Sequence, residues 1–292
     1  MAWIQITFLT HRDIAEALSD LLHENGALSL TLQEGGDEKI FEPALGETPL
    51  WEDTQVVALF EEDVSTDAII ERLKKNLITE NFPRYEISKI EDQDWERVWL
   101  DDFKPMQFGE NLWIVPSVYE PTDETAVNII LDPGLAFGTG THPTTSLCLT
   151  WLDGNKAEKD VVVDYGCGSG ILAIAAAMLG AKQVHAVDID PQAIEATEQN
   201  AKNNQVGELI ETYLPEQFDL KAADLLLANI LANPLHELAE YFSQGVKPGG
   251  RIVLSGILSE QADQIIEKYS NWFDMAEPVF KEEWVLLAGT KR

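Results

Sequence analysis

The sequence predicts two domains of different class: a doubly wound α/β domain with a largely parallel sheet, preceded by a small α+β domain. Three observations predict this. Residues 1–91 read as β-α-β-β-α-β. From about Asn128 onward, apolar strand runs alternate with helical patterns. Within that alternation, Val161-Val162-Val163 leads into Asp164-Tyr165-Gly166-Cys167-Gly168-Ser169-Gly170 and then into the apolar run Ile171 to Leu179, closed by Gly180. A strand, a glycine turn and a buried helix in that order build a nucleotide pocket at the carboxyl end of a parallel strand.

In the first domain, strand one runs near Trp3 to Leu9. Helix one places Asp13, Ala15, Leu18, Leu21 and Leu22 on a helical period and ends at Asn25-Gly26. Strand two is Leu28 to Leu32, followed by a loop rich in Gly, Glu and Pro from Gln33 to Trp51. Strand three is Gln55 to Phe60, helix two is Ser65 to Leu77 with Ile69, Ile70 and Leu73 apolar, and strand four is Tyr85 to Ile90. This order is ferredoxin-like. Such a domain carries no chemistry by itself and suits docking. A connector at 92–125 follows. Its helix aligns Trp95, Trp99 and Phe103 on one face and stops at Pro105, and a strand pair lies around Leu112 to Val115. That aromatic face fits burial against a domain; direct substrate contact is the alternative. In the second domain, 126–292, further strands are expected at Gln183 to Asp188, Ala223 to Asn229, Arg251 to Ser255, Glu277 to Phe280 and Val285 to Ala288.

Whole-chain composition limits the function. With 292 residues, 45% of them hydrophobic, the chain has enough apolar mass for real cores. Two cysteines, Cys148 and Cys167, exclude a disulfide framework, and neither they nor the five histidines show metal-ligand spacing. No metal is expected. The N-terminus has no basic leader or cleavage site, and no apolar run approaches membrane-spanning length. A cytoplasmic, soluble monomer is the expectation. The net charge of −31 opposes direct nucleic-acid readout and would attract a basic protein. Solubility alone accounts for that charge equally well.

The glycine loop says which nucleotide. A dinucleotide fingerprint needs a third glycine where Ile171 stands. A pyrophosphate also has no use for Asp164 at the strand end, whereas a cofactor with a free ammonium does. Both features argue against a nicotinamide dehydrogenase. Asp188 ends the next strand about 20 residues beyond the turn, where an acid can hold a ribose diol. Asp190 and Pro191 then open a helix as N-cap and N1. A generic α/β turn with an acidic strand end is the competing reading. Leu131 through Ser146 is glycine-rich and enters a helix at Thr141 or His142 before Pro143. Free N–H groups there suit an anion such as a methionine carboxylate, or simply a capped turn. Asn229-Ile230-Leu231-Ala232-Asn233-Pro234 ends a strand with an amide that can accept hydrogen bonds from an amine; a capped loop is the plainer alternative.

The loop at Asp164 through Gly170 resembles the first motif of S-adenosylmethionine-dependent methyltransferases. Over essentially the whole chain, the sequence resembles the bacterial methyltransferases that modify ribosomal protein L11. The specific parts are Asp94 through Trp99, Lys104-Pro105-Met106, Leu131 through Ser146, Asp164 through Ile174, Asn229 through Ala232, and Glu283-Trp284. The resemblance implies a Rossmann-like class I methyltransferase domain behind a ferredoxin-like substrate-recognition domain. It implies S-adenosylmethionine as methyl donor and ribosomal protein L11 as partner. It also implies methylation of lysine side chains and the N-terminal α-amine, up to trimethyl. By match to the family motifs, Thr145, Gly166, Asp188 and Asn229 would contact the cofactor, with Asn229 also the catalytic residue. Asp164 and Gly168 are added from the loop itself. The chain departs from the Asn-Pro-Pro-aromatic motif of other amino methyltransferases, because Ile230-Leu231 follows Asn229.

Overall fold

The computed structural model describes residues 2–36, 49–79, 81–91, 103–132 and 140–292. The chain divides into two units, residues 1–95 and 96–292. In the first, β1 (Ala2–His11), α1 (Arg12–Glu24), β2 (Ser29–Glu34), β3 (Asp53–Glu61), α2 (Thr66–Asn76) and β4 (Arg84–Glu91) follow in order. The sheet runs β2-β3-β1-β4, with every neighbouring pair antiparallel. That is the ferredoxin-like arrangement. Ile6 and Phe8 of β1 and Val56, Ala58 and Phe60 of β3 are buried in one core with Leu18 and Leu22 of α1 and Ile70 and Leu73 of α2. The alternation specifies the register, because a one-residue slip from the Phe8–Val56 pairing would turn each of these side chains outward. Ser65 starts α2 by accepting the Ala68 N–H on its side chain.

The second unit opens with a three-stranded sheet of β5 (Met106–Phe108), β6 (Leu112–Val115) and β7 (Val127–Ile130). Then come α3 (Pro143–Gly154), β8 (Val161–Tyr165), α4 (Ile171–Met178), β9 (Gln183–Val187), α5 (Pro191–Asn203), β10 (Ile210–Tyr213) and β11 (Ala223–Asn229). The unit ends with α6 (Ala232–Gly245), β12 (Val246–Leu258), α7 (Ala262–Tyr269), β13 (Phe273–Met275), β14 (Val279–Lys281) and β15 (Trp284–Lys291). The main sheet has the order β10-β9-β8-β11-β12-β15-β13, with β14 also on β15. Pairing is parallel from β10 through β12 and antiparallel around β15.

Strand alternation sorts this sheet into two cores. Val162, Leu225, Leu227 and Val253 pack with α3 and α4. Val163, Leu226, Ala228 and Ile252 pack with α6 and α7 on the opposite face. Both faces are covered, so the strands read as continuous apolar runs. Helix α4 is buried along Ile171 to Ala177, which is why its sequence is apolar all round.

Three features differ from the sequence reading. The short strands β10 and β13 were not anticipated, since three or four residues carry too little periodicity to register. The strands at 106–115 share the core of α4, with Phe108, Leu112 and Ile114 buried beside Ile171. β6 pairs in parallel with β7, and a parallel pair needs cover. The aromatic helix containing Trp95 and Trp99 lies outside the described residues, as does the middle of the loop from Gln33 to Trp51; Phe103 is buried in the second unit. Among the described residues, no helix is long and apolar enough to cross a membrane, and no group of three His, Cys, Asp or Glu side chains is placed to hold a metal.

Candidate active site

The strand order reverses beside β8. The chain passes from β8 to β9 and β10 on one side, then returns to β11 on the other. Open α/β sheets bind ligands at such a switch point, beyond the carboxyl ends of the strands. A cavity of about 550 Å³ opens there, lined by Gly166 and Gly168 after β8, Asp188 after β9 and Asn229 at the end of β11. Its size suits a small-molecule cofactor.

Gly166 and Gly170 have φ of 83° and 79°. A Cβ on Gly166 would lie 2.2 Å from Ile230 Cγ2, and one on Gly170 would lie 2.8 Å from the Thr197 side chain. Both backbone shape and space therefore demand glycine. Gly170 stands at the N-cap of α4 with no side chain to cap it. Asp164 supplies the missing cap from the strand, its Oδ2 accepting the Ala173 N–H at 3.0 Å. Asp164 is fully buried behind the loop and does not line the cavity. Burial pushes its carboxyl up to about 7; the Ala173 bond opposes this and the nearby Asp188 adds to it. Its Oδ1 is buried with no hydrogen-bond partner among the described residues.

Asp188 ties the end of β9 to the glycine loop. Its Oδ2 accepts the Gly168 N–H at 2.9 Å, and its Oδ1 accepts the Asp190 N–H at 3.0 Å. Each carboxylate oxygen keeps further acceptor capacity toward the cavity. Asp190 caps α5 through the Gln192 N–H at 2.9 Å, with Pro191 in the first turn.

His142 is the N-cap of α3, its Nδ1 accepting the Thr144 N–H at 3.4 Å. The ring lines the cavity and meets Trp284 edge-on at 4.9 Å between centroids. Burial holds the imidazole below its ordinary pKa, against the pull of the Glu282 and Glu283 carboxylates. Thr145 is buried one layer back and does not line the cavity. Its Oγ1 accepts from Asn229 Nδ2 at 3.3 Å, which turns the Asn229 amide oxygen away from it. The structure thus gathers Gly166, Gly168, Asp188 and Asn229 around one cavity and places Thr145 and Asp164 behind them. Residues 133–139, in the middle of the expected anion-binding segment, lie outside the described residues.

Ile230 is seated between two glycines. Besides Gly166, it meets Gly256, where φ is 80° and a Cβ would lie 2.3 Å from the Ile230 carbonyl oxygen. Gly256 sits where the register of β12 against β15 shifts. Sequence reasoning missed Gly256, although a lone glycine inside an apolar strand signals a bulge or a close approach. It assigned no role to Tyr165 or Trp284, which also line the cavity, because periodicity does not reveal which buried aromatic faces a pocket.

A doubly wound sheet ending in an antiparallel strand, with its cavity between a glycine loop and an Asn turn, defines a Rossmann-like class I methyltransferase. The family model described as ribosomal protein L11 methyltransferase (PrmA) matches residues 2–292. The chain is 55% identical over 295 residues to the ribosomal protein L11 methyltransferase of Shewanella sp. strain ANA-3, and 54% identical over 293 residues to that of Shewanella woodyi, with 100% of both chains covered in each case. A crystal structure of ribosomal protein L11 methylase from Lactobacillus delbrueckii subsp. bulgaricus is similar with a TM-score of 0.58 at 33% identity, covering 65% of this chain and 100% of that one. The chain belongs to the ribosomal protein L11 methyltransferase family.

Proposed function

We propose that the protein transfers methyl groups from S-adenosylmethionine to amines of ribosomal protein L11, both lysine side chains and the N-terminal α-amine, up to trimethyl. The observation that carries this reading is Asn229. Its amide is oriented by Thr145 on a cavity that Gly166 and Asp188 also line.

The residues present fit the cofactor. Gly166 lines the cavity with backbone alone, which lets a ligand approach closely. Asp188 keeps acceptor sites for ribose hydroxyls. Asp164, buried behind the loop, serves the cofactor only indirectly, by holding the start of α4 through the Ala173 N–H. S-adenosylmethionine supplies a methyl group on a positively charged sulfur, activated for displacement by a nucleophile.

An amine must be neutral to attack. Ile230, Pro234 and Leu238 line the cavity with apolar surface. Taking an ammonium out of water into such a site lowers its pKa, and the proton leaves to solvent. The Asn229 amide oxygen accepts an N–H of the neutral amine and aims its lone pair. This is catalysis by positioning and desolvation. The net charge of −31 supports a basic, lysine-rich protein partner, with the ferredoxin-like unit as the surface that captures it. The reading places the enzyme in the cytoplasm, beside newly made ribosomal proteins.

Incubation of the purified protein with S-adenosylmethionine and unmodified ribosomal protein L11, followed by intact mass measurement, tests this. A ladder of methyl increments on lysines and the N-terminus is expected. No mass shift from a protein that binds S-adenosylmethionine would overturn the substrate and leave the cofactor.

A further inference from the structure

Helix α5 carries a polar stripe in which Thr197 and Asn204 are buried and Asn200 is half-buried. Thr197, Asn200 and Asn204 come at helical spacing and share one face. Each side chain holds backbone of another element. Thr197 Oγ1 donates to the Gly168 carbonyl at 3.1 Å, and Asn200 Nδ2 donates to the Ser169 carbonyl at 2.8 Å. Asn204, the C-cap residue of the helix, pairs with both backbone polar groups of Ile130. The Ile130 N–H donates to Asn204 Oδ1 at 2.7 Å, and Asn204 Nδ2 donates to the Ile130 carbonyl at 2.8 Å.

A side-chain amide that pairs with both polar groups of one residue acts as the next strand would. On its other side, Ile130 is in register with Val115 of β6. Among the described residues β7 is an edge strand, so Asn204 completes its final residue. The pairing matters because it anchors the end of α5 to β7. The other two members of the stripe hold the glycine loop, and α5 itself starts just beyond Asp188, at Pro191.

We propose that Asn204 is a positioning residue for the cofactor cavity. By tying the end of α5 to Ile130, it holds in place the helix face from which Thr197 and Asn200 grip the glycine loop. Asn204 does not line the cavity and acts only through the backbone it pairs with. The proposal rests on S-adenosylmethionine occupying that cavity.

The test compares wild type, Asn204→Ala and a control, Ile265→Val, in the core on the opposite face of the sheet. Calorimetric titration gives the Kd for S-adenosylmethionine, and hydrogen exchange reads the Ile130 and Leu131 amides. Asn204→Ala is expected to raise that Kd about tenfold, with the Ile130 amide exposed to exchange, while the KM for the protein substrate changes less than about twofold. Ile265→Val is expected to leave the Kd within about twofold while lowering Tm. If Asn204→Ala does not fold, Asn204→Ser carries the same comparison with a smaller shift. An Asn204 variant that lowers Tm but binds S-adenosylmethionine as wild type does would overturn the inference. Wild-type protein that binds no S-adenosylmethionine would instead overturn the proposed function beneath it.

Discussion

On the rim of the cavity formed after β8, the glycine loop is fixed almost wholly through its backbone, whereas on the rim formed by β11 the Asn229 side chain is oriented by the Thr145 side chain. The Gly166 and Cys167 N–H groups both donate to the Val187 carbonyl, at 2.7 and 3.1 Å. The Gly168 N–H goes to Asp188, and the carbonyls of Gly168 and Ser169 are taken by α5. Across the cavity, the Asn229 side chain donates to Thr145 at 3.3 Å, and Ile230 rests on two glycines. The difference teaches a division of labour. A rim that meets the same cofactor every cycle can be rigid. Under the proposed function, the rim that meets the amine accepts it as it gains methyl groups, and a side chain oriented by a 3.3 Å bond to Thr145 can adjust.

The strongest way to break this comparison is Gly166→Ala. The added Cβ meets Ile230 on one side and an unfavourable φ on the other, so both rims are disturbed at once. The Kd for S-adenosylmethionine should rise at least about 100-fold, measured by calorimetry. Binding close to that of wild type would show that the glycine loop is softer than its hydrogen bonds imply.

Asp164→Asn comes next and probes the rigidity behind the loop. In the cofactor-free fold the Asp164 carboxyl stays protonated up to about pH 7, whereas in the unfolded chain it ionises near about pH 4. A folded pKa raised in this way stabilises the protein fully below the unfolded value and loses that contribution as pH rises through about 7. Asparagine does not titrate. Relative to wild type, the variant should therefore gain stability between about pH 4 and about pH 7 and level off above, by on the order of a few kcal/mol. Urea unfolding at pH values across that window reads it, and a difference independent of pH would mean an ionised carboxylate in the fold.

Asn229→Ala sharpens the contrast from the other rim. Loss of an oriented acceptor should lower kcat about 100-fold while the cofactor Kd moves less than about tenfold. If affinity falls more than turnover, Asn229 belongs to the cofactor side. The smallest effect is expected from Thr145→Val, which removes one neutral hydrogen bond and keeps the volume. It should lower kcat less than about tenfold. A loss matching that of Asn229→Ala would show that Thr145 acts on the reacting groups themselves.

Much of this could be read before the structure. The ferredoxin-like order follows from alternation at Ile6 and Phe8 and at Val56, Ala58 and Phe60, together with helical spacing at Leu18 and Leu22. The glycine loop was legible because its left-handed turns leave few alternatives at Gly166 and Gly170. Asp188 and Asn229 were legible because they end strands of a parallel sheet. Thr145 and Asp164, expected at the cofactor, are buried behind the residues that line the cavity, since strand position tells which way a residue can reach but not what already occupies its path. Gly256 and Asn204 went unassigned, because the partners that give them meaning, Ile230 and Ile130, are distant in sequence.

By itself, then, the sequence determined the two fold classes, the order of the elements and the local shape of the glycine loop, all of which depend on periodicity and on φ preferences over a few residues. Only the tertiary structure decided that Asp164 caps α4 while leaving one oxygen unpaired, that Ile230 wedges between Gly166 and Gly256, and that Asn204 completes the edge of β7. Those are pairings between groups far apart along the chain. Hydrogen bonds and steric contacts of that kind form only when packing of the two cores brings the partners within a few ångströms, and no local pattern encodes which partner arrives.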